Sequence, residues 1–328
     1  MPEVTPTAIF QVATGFMAAK QLFVASEIGL FERLGESPAT LDQLAARIGI
    51  HNRPLRVVAD AMVALGFLQR RGDLYENAPV AAAFLAGAGP ADLRPALRYW
   101  NRLNYPRWMQ LEDAVRTDQA VFGDFAFSGD EQRLYSEGVE AITSGTAAAL
   151  AREYDFSAHR RIVDVGGGTG TFLVAILRQN SGLNATLFDL PSVVAIASQR
   201  LAQHPVAPLI KIVGGDFFHD PIPGGHDVVL LANVVHNFSS ERNQALLRNV
   251  GSAVAPGARL LVVDFWTDPT HTQPTFAALM AGAFLLVSGE GTVYSADEGR
   301  AWLAATGWKL LEHRPLSGPA SLLVAEAI

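Results

Sequence analysis

The second half of the chain alternates short apolar segments with helical segments, and this alternation restricts the possible folds more than any other feature. Each apolar segment is nearly continuous and bounded by turn residues, as in strands buried on both faces of a parallel sheet. The segments are Arg161–Val165, Ala185–Phe188, Leu209–Val213, Asp227–Leu231 and Arg259–Val263. Trp308–Arg314 and Ala320–Ala325 follow so closely on each other that they must pair antiparallel. The sequence therefore predicts an α/β fold with a doubly wound sheet and an antiparallel C-terminal hairpin.

The residues before this sheet are mostly helical. Apolar residues spaced from Ile9 to Phe31 predict one long amphipathic helix. Thr40–Gly49 and Arg53–Leu65 predict two shorter helices, and Phe67–Tyr75 alternates around a Gly-Asp turn as a hairpin does. Two helices followed by a hairpin are typical of a winged helix.

Two longer helical stretches, Leu93–Val115 and Glu131–Tyr154, connect this part to the sheet. We therefore expect three regions along the chain. They are a winged-helix-like domain at 1–100, a helical linker and substrate-pocket region at 101–155, and the α/β domain at 156–328.

The composition excludes several classes of protein. Hydrophobic residues make up 49% of the chain and charged residues 17%, which is enough apolar material for a buried core. The net charge is −7 and no cluster of Lys and Arg forms a basic face, so we expect no nucleic-acid partner. The absence of cysteine rules out disulfides, thiolate nucleophiles and thiolate metal ligands, and we expect no metal site.

The apolar segments also bear on location. The first residues show no basic segment followed by an apolar core, so we expect no signal peptide. The longest apolar stretch, Phe276–Val287, is too short to cross a bilayer and predicts a buried helix. We therefore expect a cytoplasmic protein without membrane association.

A glycine-rich loop follows the first predicted strand and opens a helix. Four glycines lie within five positions, among them Gly166, Gly168 and Gly170. Glycine lets the backbone adopt positive φ and approach a ligand closely. A dinucleotide fingerprint needs its third glycine where this chain has Thr171, which disfavours a pyrophosphate site. We expect a cofactor at this loop.

The next two predicted strands also end in polar residues. Asp189 can accept hydrogen bonds from ribose hydroxyls, or it can cap the helix that starts at Pro191. Asp216 and Phe217 suit an adenine ring, as acceptor and packing surface, although a solvated Asp beside a core Phe is the plainer interpretation. Ligands of open α/β sheets bind at the carboxyl ends of the strands, where all these residues fall.

The chain resembles the plant-type and bacterial small-molecule O-methyltransferases, which include phenolic, hydroxyindole and antibiotic-tailoring enzymes. The matching segments are DVGGGTG, FDLPSVV, GDFFHDPIPGGHD, NVVHNFSSERNQALLRNV and APGARLLVVD. The resemblance implies a class I methyltransferase (Rossmann-like) sheet as the catalytic domain and a winged-helix-like domain that forms a homodimer. It implies S-adenosyl-L-methionine as cofactor and S-adenosyl-L-homocysteine as product. The cofactor contacts that it implies are Gly166, Asp189, Asp216 and Phe217, with Tyr135 and Thr143 from the preceding helix.

The same resemblance implies a catalytic histidine. The family's His-Asp-Trp motif is His236-Asn237-Phe238 here, and a family lysine is replaced by Ala232. We expect His236 to remove the acceptor's proton and Asp264 to orient the imidazole. A further catalytic carboxylate is assigned to Glu290, the nearest acidic residue, although a gapless alignment places Val293 there. With a neutral residue after the histidine, we expect Asn237→Asp to be tolerated.

The acceptor is expected to be a small aromatic molecule carrying a hydroxyl, with no metal involved. Six residues at helical spacing suit either its pocket or the core: Trp100, Tyr105, Trp108, Phe276, Met280 and Phe284. Three alternatives stay open. The chain could be an N- or C-methyltransferase, a cofactor-retaining relative with a non-methylating reaction such as a pericyclase or hydroxylase, or a winged-helix transcription factor with a ligand domain.

Overall fold

The computed structural model describes residues 4–87, 89, 91–122, 129–316 and 318–328. The chain forms two compact units, Met1–Pro106 with Ser128–Ile142, and Arg107–Phe127 with Thr143–Ile328. Residues 101–155, which we expected to form a region of their own, are thus divided between the two units.

The first unit contains the winged helix, as predicted. Its helices are α1 (Thr7–Ala13), α2 (Gly15–Glu27), α3 (Leu30–Glu36), α4 (Leu41–Ile48), α5 (Asn52–Ala64), α6 (Pro79–Phe84) and α7 (Arg94–Tyr99). Its strands are β1 (Ala39–Thr40), β2 (Leu68–Arg71) and β3 (Leu74–Asn77), paired in the order β1-β3-β2. Thr40 and Gln43 form a capping box at the start of α4, and Gly49 ends that helix with a φ of 77°.

The single N-terminal helix that we expected is three helices, because the chain turns at Thr14 and again at Gly29, whose φ is 75°. Helix α1 has no buried residue. Phe10 is 63% exposed and Phe16 53% exposed, so this end of the chain carries apolar surface that the chain itself does not cover. By length and composition Thr7–Glu27 could cross a membrane, a property shared by core helices and signal sequences, and thus weak evidence of insertion.

The expected helix over Leu93–Val115 is also interrupted. After α7 a π-helical segment, Trp100–Asn104, leads into α8 (Tyr105–Trp108), and α9 (Leu111–Thr117) begins after a turn. Helix α10 (Gly129–Glu153) matches the other predicted stretch.

The second unit is built on a seven-stranded sheet. Its strands are β4 (Arg161–Val165), β5 (Asn184–Asp189), β6 (Ile210–Gly214), β7 (Val228–Ala232), β8 (Arg259–Asp264), β9 (Trp308–Pro315) and β10 (Ser321–Ala327). Its remaining helices are α11 (Thr171–Gln179), α12 (Pro191–Leu201), α13 (Ser240–Ser252), α14 (Thr275–Val287) and α15 (Ala296–Ala305).

The strand order is β6-β5-β4-β7-β8-β10-β9. The first five are parallel, while β10 runs antiparallel to both β8 and β9. Apolar clusters cover both faces of the sheet, which explains why its strands are continuous apolar runs. The doubly wound sheet and the antiparallel hairpin are confirmed, and the carboxyl ends of the five parallel strands meet at one edge.

Helix α14 was expected to be buried, and this expectation is wrong for one of its faces. Phe276 is 43% exposed and Leu279 63% exposed, whereas Phe284 and Leu286 on the same helix are buried. An apolar run in a sequence does not show which of its residues will be covered.

Candidate active site

The glycine loop after β4 has the backbone conformation that its composition predicts. Gly166, Gly168 and Gly170 have φ values of 75°, 55° and 87°, a region that other residues rarely adopt. A Cβ on Gly166 would lie 2.8 Å from a methyl group of Val234 and 3.6 Å from the ring of Phe217. The loop therefore touches the segments that follow β6 and β7.

Asp189 ends β5 and is bonded to this loop. Its Oδ2 accepts a hydrogen bond from the Gly168 N–H at 2.8 Å, and its Oδ1 accepts one from the Leu190 N–H at 2.7 Å. Helix α12 has no side-chain cap, so the capping alternative is not what the structure shows. Burial raises the pKa of Asp189, and the two N–H bonds oppose that shift. Each oxygen keeps a lone pair for a further donor.

Asp164, the residue before Val165 in β4, was not among the expected site residues. It is 1% exposed, and neither of its oxygens has a hydrogen-bond partner among the described residues. Its Cγ lies 3.0 Å from where a Cβ on Gly167 would be, directly under the loop. Burial, with a smaller contribution from the charge of Asp189, raises the pKa of Asp164 to about 8. The sequence signal that could have identified Asp164 as a site residue is a carboxyl side chain near the end of an otherwise apolar strand.

Asp216 and Phe217 follow β6. Asp216 accepts a hydrogen bond from the Phe218 N–H at 2.8 Å and contacts the His219 ring nitrogen at 2.8 Å. Burial opposes ionisation, but these two bonds together with the positive charges of His219 and Arg242 lower the pKa of Asp216. The Phe217 ring packs edge-on against Phe218 and Phe238, with centroids 4.9 and 5.7 Å away.

His236 lies in a single 3₁₀ turn, Val235–Asn237, after β7. Asn233 makes the bend into this turn with a φ of 58°, a conformation that Asn tolerates better than most residues. His236 is 8% exposed, and its Nδ1 lies 2.7 Å from Asp264 Oδ1 at the end of β8. The imidazole stacks on Phe284 with centroids 4.0 Å apart.

The second oxygen of Asp264 has no partner among the described residues, whereas Oδ1 also accepts the Phe265 N–H at 2.8 Å. The carboxylate is thus buried and shared between the imidazole of His236 and one backbone donor. The contact with Asp264 Oδ1 is the one through which this carboxylate can orient the ring of His236.

Asn237 does not face the imidazole. Its Nδ2 donates to the carbonyl oxygens of Asn233 and Val234 at 3.4 and 3.2 Å and so closes the turn. A carboxylate could not make these bonds because an ionised Asp has no donor. The expectation that Asn237→Asp would be tolerated therefore conflicts with the structure.

The Glu290 carboxylate is paired with Arg242. Its Oε1 lies 2.5 Å from Arg242 Nη1, and the carboxylate paired with the histidine is Asp264 alone among the described residues. The geometry gives no support to the catalytic role expected of Glu290. Its neighbour Gly291 packs under the histidine instead, since a Cβ there would overlap the His236 carbonyl oxygen.

The other expected residues are divided between the two units. In the first, the Tyr135 ring meets that of Tyr99 edge-on at 5.8 Å, and Trp100 and Tyr105 pack against the core of that unit. Thr143 belongs to the second unit, where it is partly buried.

The remaining expected pocket residues lie on α14 or against it in the second unit. Trp108 lies against this helix, 3.0 Å from where a Cβ on Gly282 would be. Phe276 and Phe284 flank the ring of Phe265 with centroids 6.0 and 6.3 Å away. Met280 lies between them in the helix and is partly buried. Across the described ranges, no group of three or more His, Asp or Glu side chains is placed to hold a metal ion.

Comparisons with known proteins agree with this geometry. Residues 10–87 match the family model of the O-methyltransferase dimerisation domain and residues 108–309 that of the O-methyltransferase domain. The chain is 34% identical to the 3-hydroxy-5-methyl-1-naphthoate 3-O-methyltransferase of Streptomyces sahachiroi, over 92% of this chain and 89% of that protein. It is 31% identical to the tetracenomycin polyketide synthesis 8-O-methyl transferase TcmO of Streptomyces glaucescens, over 97% and 96%.

Among solved structures, human N-acetylserotonin methyltransferase in complex with S-adenosylmethionine superimposes with a TM-score of 0.89 at 25% identity, covering 99% of each chain. The sheet, the glycine loop and the paired histidine thus occur in a chain that matches enzymes of one class over nearly its whole length. The chain belongs to the family of S-adenosylmethionine-dependent O-methyltransferases.

Proposed function

We propose that the protein transfers a methyl group from S-adenosylmethionine to a hydroxyl group, most simply a phenolic one, of a small aromatic molecule, with His236 as general base. The observation that carries the proposal is the buried contact between His236 Nδ1 and Asp264 Oδ1 at 2.7 Å. It lies at the sheet edge that also carries the glycine loop, because Val234, two residues before His236, packs against Gly166.

The residues at this edge fit the cofactor. The loop at Gly168 has open space above it, and Asp189 has lone pairs left for the ribose hydroxyls. Phe217 offers a ring face and Asp216 an acceptor to an adenine. Asp164 is a buried carboxyl that lacks a partner among the described residues. When bound, S-adenosylmethionine supplies a methyl group already activated by its sulfonium.

Two residues of the helix before the sheet are also assigned to the cofactor. By family resemblance, we include Tyr135 and Thr143 among its contacts. Gly166 and Gly170 have no side chain with which to bond the cofactor. They shape the backbone of the loop, where both have a positive φ.

The chain's own contribution to the reaction is proton removal and placement. Because Asp264 accepts at Nδ1, the neutral His236 carries its proton there and leaves Nε2 free to take the acceptor's proton. The buried carboxylate then stabilises the imidazolium that forms. Phe284, stacked on the imidazole, holds the plane of the ring and keeps water from one of its faces.

The surroundings of His236 favour a flat, apolar acceptor. Phe265 and Phe284 lie beside the imidazole, and Phe276 packs on Phe265, so aromatic surface adjoins His236 in the second unit. We include Met280, which lies between Phe276 and Phe284 on α14, among the proposed pocket residues. One of the two relatives is named for a hydroxynaphthoate, which is a flat aromatic acceptor of this kind. We propose further that the enzyme works as a cytoplasmic homodimer through its dimerisation domain.

The test is a methylation assay with S-adenosylmethionine and a panel of phenols, naphthols and aromatic acids. We expect S-adenosylhomocysteine to accumulate in proportion to methylated product. The variant His236→Ala should bind the cofactor as the wild type does, but react about 10²–10⁴ times more slowly. His51→Ala, at an exposed position just before α5 in the first unit, is the matched control and should keep full activity. Substrate consumption without S-adenosylhomocysteine would refute methyl transfer and favour a non-methylating reaction. An unchanged rate in His236→Ala would refute only the general base.

A further inference from the structure

Arg242, near the start of α13, contacts three side chains from different parts of the second unit. Its Cζ lies 4.1 Å from the ring centroid of Phe218 and 4.8 Å from that of Phe238. Its Nη1 lies 2.5 Å from Glu290 Oε1. We call Arg242, Glu290, Phe218 and Phe238 the Arg242 clamp.

One side of the clamp belongs to the proposed adenine contacts. Phe218 donates its backbone N–H to Asp216 at 2.8 Å, and its ring packs on Phe217 at 4.9 Å. The positive charge of Arg242 is also one of the influences that lower the pKa of Asp216. A movement of Arg242 would therefore change both residues assigned to the adenine: it would shift the Phe218 ring that packs on Phe217, and it would change the charge near Asp216.

The other side of the clamp belongs to the turn that carries His236. Phe238 ends that turn, and its carbonyl oxygen accepts bonds from the Tyr294 hydroxyl at 2.6 Å and from Asn243 Nδ2 at 3.1 Å. Glu290 precedes Gly291, which leaves no room for a Cβ beneath the His236 carbonyl. The clamp thus holds two of the segments that surround the histidine.

The contacts of the clamp should contribute little to the free energy of unfolding, and their main effect is to fix the position of the segments that they join. The side chains of Arg242 and Glu290 are 45% and 33% exposed, and ion pairs at such sites contribute little to folding. Cation–π contacts at exposed sites are also weak. Yet a planar guanidinium can face two rings and a carboxylate together, which the compact ammonium of a lysine cannot do.

We propose that Arg242 is a positioning residue that couples the adenine side of the cofactor site to the catalytic turn, and that Glu290 acts through it. The inference rests on the proposed function for the role of His236. It gives Glu290 a task that does not require contact with the acceptor.

The first test needs no acceptor. The affinity for S-adenosylhomocysteine is measured by calorimetry in wild type, Arg242→Gln, Glu290→Gln, the double variant and Arg242→Lys. We expect Arg242→Gln to weaken binding about tenfold and Glu290→Gln about threefold, within the range of coupling through packed networks. The double variant should bind no more weakly than Arg242→Gln, because Glu290 acts only through Arg242. Arg242→Lys should recover only part of the loss.

Arg300→Gln is the matched control, since Arg300 is an exposed arginine paired with Asp297 on α15. It should leave the affinity and the urea midpoint unchanged, and the clamp variants should share its urea midpoint. Losses that add in the double variant, or an unchanged affinity in Glu290→Gln, would overturn the coupling. A urea midpoint lowered along with the affinity would reduce the clamp to a structural contact.

The second test uses a methyl acceptor. Arg242→Gln and Glu290→Gln should each lower kcat by about 10-fold with little change in the KM of the acceptor. Misplacing a catalytic group lowers the rate more than it weakens binding. A rise in KM at unchanged kcat would contradict positioning and make Arg242 part of the acceptor pocket. If the wild type transfers no methyl group, the proposed function fails while the calorimetric test of the clamp still stands.

Discussion

Buried carboxylates at the sheet edge are held in different ways, and this difference sets what each can do. Asp264 is bonded to His236 and one backbone N–H, and Asp189 to two backbone N–H groups. Asp164 is deeper than either and has no donor among the described residues. Donors favour the ionised form and burial without donors favours the neutral one. Burial without donors raises the pKa of Asp164 to about 8, so this carboxyl holds a proton at neutral pH.

Replacing Asp189 by alanine tests the ribose contact. Asp189→Ala removes the acceptor of the Gly168 N–H and, in our proposal, of two ribose hydroxyls. Each lost bond to a charged group is worth about 1.5–3 kcal/mol, so the affinity for S-adenosylhomocysteine should fall at least 100-fold. Calorimetry measures this affinity, and Asp297→Ala, at an exposed position, is the control. Unchanged affinity would remove Asp189 from the cofactor site.

Asp164 makes the stability of the fold depend on pH. Its pKa is raised from the ordinary value of 3.8 to about 8 in the folded protein. Between those values only the unfolded state loses the proton, so the free energy of unfolding falls as pH rises, and it levels off above pH 8. Asp164→Asn cannot titrate and should lose this decline, gaining stability over the wild type as pH increases. Urea unfolding at pH 5, 7 and 8.5 measures the free energy of unfolding of the wild type and of Asp164→Asn. Parallel wild-type and variant curves would contradict the prediction, and Asp297→Asn serves as control.

At the scale of elements, the catalytic turn is built by its neighbours more than by its own sequence. Asn237 closes it from inside, Asn243 donates to two of its carbonyl oxygens, and Gly291 lies against it from the segment after α14. The turn is a single 3₁₀ turn, too short to be stable alone. Its geometry therefore depends on α13 and α14 remaining packed.

Gly291→Ala should displace this turn. The added Cβ would overlap the backbone oxygen of His236 and stand 2.8 Å from the carbonyl carbon of Asn237, contacts with backbone that no side-chain rotation can relieve. We expect a loss of about 1–3 kcal/mol in the free energy of unfolding, as for other overpacked sites, and a methylation rate at least tenfold lower. Gly182→Ala is the control, since a Cβ added to Gly182 would have no atom within 4 Å and the residue has no positive φ. Equal behaviour of the two variants in urea unfolding and in rate would refute the tight packing.

Sequence patterns predicted the elements well because their signals are local. The alternation of apolar strands and helices, the glycine loop and the position of His236 can all be found in short windows of the chain. The partner of Glu290 could not be found in this way, because Arg242 lies far from Glu290 in sequence and contacts it only in the folded unit. The protonated state of Asp164 likewise depends on which donors are missing around it. The breaks at Thr14 and Gly29 were missed because the apolar spacing continues through them.

At the scale of the whole molecule, the exposed apolar residues of the N-terminal helices favour self-association. Large apolar side chains on α1 and α2 stay exposed in a single copy: Ile9, Phe10, Val12, Phe16 and Met17. Contiguous apolar surface of this kind marks an interface, and these residues lie in or beside the matched dimerisation domain. A second copy of the chain is the partner that we propose for this surface.

We expect a homodimer that Phe10→Glu with Phe16→Glu converts to monomers, because two buried carboxylates would lack partners at the interface. Light scattering at micromolar concentration measures the mass. Leu311→Glu, on the edge strand β9, places a charge at a comparably exposed apolar position of the other unit and should leave the dimer intact. A monomeric wild type, or a dimeric double variant, would contradict the prediction.

The position of β10 has a consequence for synthesis. This strand pairs with β8 on one side and β9 on the other, so one edge of β8 stays unpaired, with β7 on its other edge, until residues 321–327 have left the ribosome. At elongation rates of about 5–20 residues per second, the roughly sixty residues between Asp264 and Ser321 take on the order of 3 to 12 seconds. During that interval a buried, apolar strand presents open backbone donors and acceptors to any passing chain. Nascent chains of this enzyme should therefore depend on chaperones most in that interval, and slow translation through residues 265–320 should raise the share of product that aggregates.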